Sequence, residues 1–354
     1  MSNIDRILQA LSDKEYGAIL ITDPANRLFA TGFRSSDGAL LITEYEAFFY
    51  TDSRYTEAAS SAVTDAVVKQ VTTDSTYSAQ IKSVLDEYGI SSVGFEDTSI
   101  TYSEYLNWQD KTERELIPTK KLLSELREVK SADDLDQMKK AQRISEKSFE
   151  EILPLVSTEI TEKELATELL MRFLKNGADD KAFDTIVISG KKSSMPHGVP
   201  EDIKIGKGFL TIDFGVRLNG WCSDTTRTLC IGKPDEEMIR VYDTVLKAQE
   251  AGIKIVRAGI PAKDVDAGAR DIIENAGYGD NFGHGFGHGV GLEVHEDPRV
   301  SKSSEDILPA GAVISAEPGI YLPGRYGVRI EDVVFVKENG CENITNLSKN
   351  LIVL

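Results

Sequence analysis

The sequence predicts an α/β domain over residues 1–125, followed by an α+β domain over residues 126–354. Three observations predict this. At 354 residues the chain exceeds what one hydrophobic core usually serves. Up to about residue 120, short β-rich runs alternate with helical stretches, whereas beyond it longer helical and β-rich blocks are mixed. A capped helix start follows directly on the change of pattern.

In the first domain the β-rich runs are AILIT (18–22), ALLIT (39–43), AFFYT (47–51) and SVGFE (92–96). Asp52 and Arg54 in TDSRY read as a surface ion pair beside a turn. At the boundary, Ser131 is placed to cap a helix whose first turn carries Asp133 and Asp134, complementing the positive end of the helix dipole. Leu135, Met138, Ala141 and Ile144 then recur every three residues, which gives that helix one apolar face for core packing. The second domain continues with helices over about 162–175 and 235–275 and strands over about 208–231 and 312–336. It has no solenoid repeat and no nucleotide-binding glycine fingerprint.

Composition narrows the function. A formal charge of -18 disfavours nucleic acid and anionic membrane surfaces as partners, because both are bound through clustered Lys and Arg. The three cysteines, Cys222, Cys230 and Cys341, lack zinc or redox spacing, and reduced thiols are expected. The N-terminus has no basic segment leading into an apolar one, and no run approaches the roughly 18 apolar residues of a membrane span. A cytoplasmic location is expected. The adjacent sequons at Asn343 and Asn346 carry no weight without secretion.

The stretch GFLTIDFGVRLNGWCSDTTRTLCIG (208–232) allows a geometric inference. Asn219-Gly220 between two β-prone runs signals a two-residue hairpin turn, since type I′ geometry needs positive φ at both central positions. With Leu218 and Trp221 flanking the turn, Asp213 faces Thr226 and Asp224 faces Gly215. Asp213 and Asp224 then share one face as diagonal neighbours, their Cα atoms about 7–8 Å apart. Two like charges so close repel unless something positive lies between them. A divalent cation fits; the alternative is that both carboxylates face solvent.

A second carboxylate pair lies in AVISAEPGIYLPGRYGVRIEDVVFV (312–336). Glu317 ends one apolar run, and Glu331 sits inside another, where a charge rarely lacks a partner. Arg329, two residues away on the same strand face, is one candidate partner and a metal is the other. Three of the four histidines, His284, His288 and His295, crowd into GHGFGHGVGLEVHE (283–296), where scattered glycines suggest close backbone approach to something bound. Hard carboxylates with one imidazole suit a pair of divalent ions such as Mn²⁺, Co²⁺ or Zn²⁺. Two ions about 3.5–4 Å apart can share carboxylates and a water of lowered pKa for hydrolysis.

These residues resemble the pita-bread metallopeptidase family (M24), in its proline-directed branch of Xaa-Pro dipeptidase (prolidase) and aminopeptidase P. The resemblance runs through FDTIVISGKKSSMPHGVP (183–200), TIDFGVRLNGWCSDTTRT (211–228), FGHGFGHGVGLEVHEDP (282–298), SAEPGIYLPG (315–324) and GVRIEDVVFV (327–336). The first 120 residues resemble the family's N-terminal domain more loosely, through NRLFATGF (26–33) and TDSRY (51–55). The resemblance implies a ribonuclease-H-like, creatinase-type α/β N-terminal domain and an α+β pita-bread catalytic domain. It implies metal ligands at Asp213, Asp224, His288, Glu317 and Glu331, with no ligand position substituted. It places His197, His284 and His295 in the site as well.

The implied reaction is hydrolysis of the bond between an N-terminal residue and a following proline, by attack of a metal-bridging hydroxide. Glu317 would accept the water's proton, and His295 and His284 would contact the substrate or intermediate, His295 as hydrogen-bonding or proton-shuttling partner. His197, Tyr321 and Arg329 would contact substrate, the last two around the proline and its carboxylate. Two divalent ions per chain, Mn²⁺ foremost, short proline-containing peptides and a homodimer are the implied cofactor and partners. Glu293, Glu296 and Asp297 are read as solvated or structural, and Trp221 and Cys222 as packing residues. Two other readings stay open: a methionine-aminopeptidase-like exopeptidase, and a catalytically idle pita-bread protein that binds peptides or a partner.

Overall fold

The computed structural model describes residues 1–12 and 14–354 and divides the chain into two compact units, Met1–Arg127 and Glu128–Leu354. In the first unit, α1 (Asn3–Leu11) precedes β1 (Ala18–Ile21), α2 (Pro24–Thr31), β2 (Ala39–Thr43) and β3 (Ala47–Thr51). There follow α3 (Thr56–Ala62), β4 (Val67–Gln70), α4 (Tyr77–Glu87), β5 (Ser92–Phe95), α5 (Tyr102–Thr112) and β6 (Glu115–Pro118). The strands form one sheet in the order β4-β3-β2-β1-β5-β6, antiparallel across β3, β2 and β1 and parallel elsewhere. Every residue of β1, β2 and β3 is buried, so the centre of the sheet is covered on both faces. The sequence reading missed β4 and β6. They are edge strands with exposed positions, and their apolar signal is correspondingly weak. Asp52 and Arg54 do form an exposed ion pair, at 2.5 Å.

α6 (Leu122–Glu128) leads to α7 (Ala132–Ile152), where Ser131 accepts from the Asp134 amide and Asp134 reaches back to the Ser131 amide. This reciprocal cap satisfies two otherwise orphaned donors at the helix start. Met138 and Ala141 on its apolar face are buried, and Leu135 and Ile144 pack at the margins of the core clusters. α8 (Glu162–Lys175) and the short β7 (Asp180–Lys181) precede β8 (Ile186–Ser189), β9 (Gly208–Phe214), β10 (Val216–Leu218), β11 (Trp221–Cys222) and β12 (Thr225–Ile231). β12, β9 and β8 make one antiparallel sheet, which packs on α7 and α8 through Phe149, Leu169, Phe173, Leu210, Ile212 and Phe214.

The long helical stretch expected over 235–275 is two helices, α9 (Glu236–Ile255) and α10 (Ala262–Asn275). Gly259, at φ 76°, and Pro261, which cannot continue a preceding helix, separate them. Their apolar faces cover a second antiparallel sheet. It is built from β13 (Gly287–Gly289), β14 (Glu296–Val300), β15 (Val313–Ala316), β18 (Asp332–Lys337) and β19 (Gly340–Asn343), in the order β14-β13-β15-β18-β19. Between β15 and β18 the chain makes a separate ribbon, β16 (Gly319–Leu322) with β17 (Tyr326–Arg329). The second unit is thus two helix pairs, each laid on antiparallel strands. No helix among the described residues is long and apolar enough to cross a membrane. All three cysteines are unpaired.

Candidate metal centre and active site

The hairpin expectation holds in its register. Leu218 pairs with Trp221, Arg217 with Cys222, and Asp213 with Thr226, around a turn in which Asn219 and Gly220 take φ of 51° and 90°. The ladder is interrupted between Phe214 and Arg217, and at Gly215 an added Cβ would lie 2.0 Å from the Ser223 carbonyl oxygen. β10 and β11 therefore leave the sheet of β9 and β12, and Asp224 occupies the break with its side chain buried.

His288 lies in the middle of β13, which a glycine on either side allows to run hard against its neighbours. A Cβ on Gly287 would stand 2.1 Å from the Ser315 oxygen, and one on Gly289 would stand 2.2 Å from the Asp297 oxygen. Glycine stands at every second position from 283 to 291, a regular pattern that is the local signal for this close approach. The loop before β13 is held from α10. Asp266, fully buried, accepts from the Phe286 amide at 2.9 Å and from Arg270, whose guanidinium also donates to the carbonyls of Phe282 and His284. Neither Asp266 nor Arg270 stood out in the sequence, because an i,i+4 pair on a helix is usually a solvated one.

Asp213, Asp224, His288, Glu317 and Glu331 line one cavity of about 440 Å³, together with His197, His284, His295 and Arg329. All four histidines of the chain meet there. One ligand atom from each of Asp224, His288 and Glu331 lies within 4.8 Å of the others. Glu317 Oε1 is 3.2 Å from His288 Nε2 and also accepts from Ser315 at 3.3 Å. His288 Nδ1 faces the Gly289 carbonyl at 3.0 Å, and because a carbonyl only accepts, the proton sits on Nδ1. Nε2 is thereby turned to the carboxylates.

Arg329 is where the structure departs from the sequence reading. It does not partner Glu331 on a common strand face: β17 ends at Arg329, Glu331 precedes β18, and the two strands belong to different sheets. The guanidinium instead donates to Asp213 Oδ2 at 2.7 Å, to the Tyr321 hydroxyl at 2.9 Å and to the Thr226 hydroxyl at 3.0 Å. Thr226 in turn donates to Glu331 at 2.8 Å, so it couples Arg329 to that carboxylate indirectly. Tyr321 completes the chain by meeting His284 Nε2 at 3.0 Å, while His284 Nδ1 donates to the Gly285 carbonyl. Behind the site, Arg227 is buried and binds Asp332 and the carbonyls of Thr226 and Glu331. Thr226, Arg227 and Ser315 were invisible from sequence, since each acts through neighbours that are distant in the chain. Lys130 and Glu296 form a buried pair at 3.1 Å, in keeping with a structural role for Glu296.

The electrostatics ask for a cation. Burial, then the charges of Glu331, Asp213 and Glu317, push Asp224 well above the ordinary carboxylate range. Burial and the charges of Glu317 and Asp213 do the same to Glu331. Asp213 is raised by burial despite Arg329, and its Oδ1 is buried with no hydrogen-bond partner among the described residues. Glu317 runs the other way: burial is outweighed by the hydrogen bond and charge of His288, which hold it down to about 2. For His288, burial is outweighed by Glu317, and its pKa rises. An orphaned buried carboxylate oxygen among mutually repelling carboxylates, beside an imidazole whose Nδ1 is held by a carbonyl and whose Nε2 a cation can take in exchange for its proton, is a donor set that fits divalent ions.

The two units and this site define a metallopeptidase. Residues 136–338 match the model of metallopeptidase family M24, residues 3–129 match the creatinase/prolidase N-terminal domain, and the chain belongs to that family, with its pita-bread catalytic domain. It is 39% identical over 338 residues to the uncharacterized peptidase YqhT of Bacillus subtilis (strain 168), covering 95% of each chain. Among solved structures it is similar to the Xaa-Pro dipeptidase from Bacillus anthracis, with TM-score 0.96, 38% identity and 99% of each chain covered. It is also similar to the X-Pro aminopeptidase from Thermotoga maritima MSB8, with TM-score 0.92, 36% identity and 100% of each chain covered.

Proposed function

We propose that the chain hydrolyses the bond between an N-terminal residue and a following proline, as a Xaa-Pro aminopeptidase or dipeptidase working with two divalent ions, Mn²⁺ foremost and Co²⁺ or Zn²⁺ as alternatives. The observation that carries this reading is the convergence of four carboxylates and four histidines on one cavity of a family M24 chain. Its partners are short proline-containing peptides and a second copy of the chain; nucleic acid and membranes are not among them. An X-Pro bond lacks an amide N–H and has a fixed φ, so it escapes sites that read an extended hydrogen-bonding backbone.

Asp213, Asp224, His288, Glu317 and Glu331 are the residues that would hold the ions. When bound, the ions supply a water of lowered pKa and an electrophile for the carbonyl oxygen. Glu317, ionised on the cavity wall, is the acceptor for the water's proton. His295 packs at 4.2 Å between ring centroids on His288, and burial together with the His288 charge lowers it to about 4. It is therefore neutral at physiological pH and serves as a hydrogen-bonding partner for the substrate. His284 is also kept neutral by burial and meets the Tyr321 hydroxyl, which stands behind the residues that line the cavity. Arg329, itself on the cavity wall with His197, steadies Asp213 and Tyr321 and is the group offered to the proline side.

The test is hydrolysis of Ala-Pro peptides against Met-Ala peptides with added Mn²⁺ and after chelation. Cleavage before proline that chelation abolishes and Mn²⁺ restores is expected. Cleavage of Met-Ala alone selects a methionine-aminopeptidase-like enzyme, and a chain that neither retains nor responds to any divalent ion sinks the peptidase reading.

The loop that presents His197 gives a further prediction. Glu162, fully buried on the first turn of α8, accepts from the Ser189 amide at 2.8 Å and Lys192 at 2.9 Å before the loop, and from the Glu201 amide at 3.3 Å after it. One carboxylate thus ties both ends of the segment. Glu162→Gln is expected to raise KM about tenfold with a smaller change in kcat, the size of one charge-assisted hydrogen bond. An unchanged KM would remove the clamp from the account.

A further inference from the structure

A second cavity of about 440 Å³ lies beside the metal-ligand cavity, and the two meet at Asp184, Ile186 and His197. Its walls come from α8, through Lys163 and Leu170, from Thr185 at the start of β8, and from Val199 on the clamped loop. The volume falls in the range of ligand clefts rather than packing voids.

Two features of its lining ask for an occupant. Thr185 is only 9% exposed, and its buried hydroxyl has no hydrogen-bond partner among the described residues. A hydroxyl taken from water in this way is ordinarily completed by a bound group. Lys181 pairs with Asp184 at 2.6 Å, so these two charges offset each other. Lys163 is then the cavity's unmatched charge, on a chain whose net charge is -18. A positive group that lines this cavity and not the metal-ligand cavity suits an anion at the end of an otherwise uncharged chain. Leu170, Ile186 and the exposed Val199 supply apolar lining.

We propose that this cavity is the subsite for residues that follow the proline, with a peptide backbone group on the Thr185 hydroxyl and the free C-terminal carboxylate facing Lys163. The inference rests on the Xaa-Pro reading above and deepens it: the substrates are peptides of three or more residues, and the dipeptide leaves the groove empty. Because Glu162 holds the loop at both ends, the groove is formed before the peptide arrives, and binding there does not require ordering it.

The experiment compares kcat/KM for Ala-Pro, Ala-Pro-Ala-Ala and its C-terminal amide on the Mn²⁺-loaded protein and on Lys163→Glu and Thr185→Val. The tetrapeptide is expected to exceed the dipeptide by about tenfold, and amidation, Lys163→Glu or Thr185→Val each to remove most of that gain through KM while Ala-Pro is cleaved as before. Equal losses on Ala-Pro and the tetrapeptide, no loss on either, or cleavage of Ala-Pro alone would each overturn the groove. Cleavage of neither peptide by the unmodified protein is the separate outcome that defeats the Xaa-Pro reading, and the groove's role with it.

Discussion

Asp224→Asn is expected to abolish nearly all turnover while leaving the metal-free protein at least as stable as before. The two effects have opposite signs for one reason. In the metal-free site the Asp224 carboxylate is buried and faces Glu331, Asp213 and Glu317, so an uncharged side chain of the same shape relieves repulsion. With metal present, the same substitution removes a charged oxygen donor. Loss of supporting contacts alone costs metal sites about 10–100-fold in affinity, and loss of a ligand should cost more than that. Metal content after dialysis, Ala-Pro hydrolysis at limiting Mn²⁺ and thermal melting in chelator together decide it. Full activity at limiting metal would mean that Asp224 is not a ligand, and a marked fall in Tm under chelation would mean that its charge is satisfied in some other way.

The metal-free protein is also expected to lose stability as pH rises from about 5 to 8, opposite to the trend that salt-bridged carboxylates produce. Asp213, Asp224 and Glu331 have folded-state pKa values above their unfolded ones, and so does His288. In each case the native state binds more protons than the unfolded chain, so the stability they confer is present at the lower pH and is lost as pH climbs through the folded pKa. Glu317 has the reverse sign, but its contribution, present above the unfolded value and lost only as pH falls towards about 2, is constant across this window. Each unit of raised pKa corresponds to about 1.4 kcal/mol, or about 3–6 °C in Tm at this domain size. Divalent ions bind the deprotonated ligands, so the gap in Tm between loaded and chelated protein should widen with pH. Melts at several pH values with and without Mn²⁺ measure this. A chelated protein whose Tm is flat or rising over that range would contradict the proposed crowding of carboxylates, and Asp224→Asn should reduce the slope.

The hairpin was legible because its information is local. Asn219-Gly220 demands a particular turn, the turn sets the register, and the register alone brings Asp213 and Asp224 to one side of the chain. The start of α7 was legible for the same reason, its cap and apolar face being written within a few residues of each other. The break between α9 and α10 was equally local, in Gly259 and Pro261, and was passed over in favour of one long helical stretch.

Glu317, Glu331 and Arg329 show where locality ends. Along the chain Arg329 and Glu331 look like neighbours on one strand, with an ion pair and a metal as rival partners for the glutamate. In the fold the strand stops between them, Arg329 turns to Asp213, 116 residues earlier, and Glu331 joins Asp224 and His288. Turns, caps, the family motifs and the set of chemically competent side chains were therefore fixed by short-range patterns in the chain. Tertiary structure alone settled which charge meets which, which carbonyl holds His288 Nδ1, and how Thr226, Arg227 and Asp266 support the site. Those outcomes depend on distances between strands far apart in sequence, and in a buried site a few ångströms decide whether a charge is repelled, paired or left for a metal.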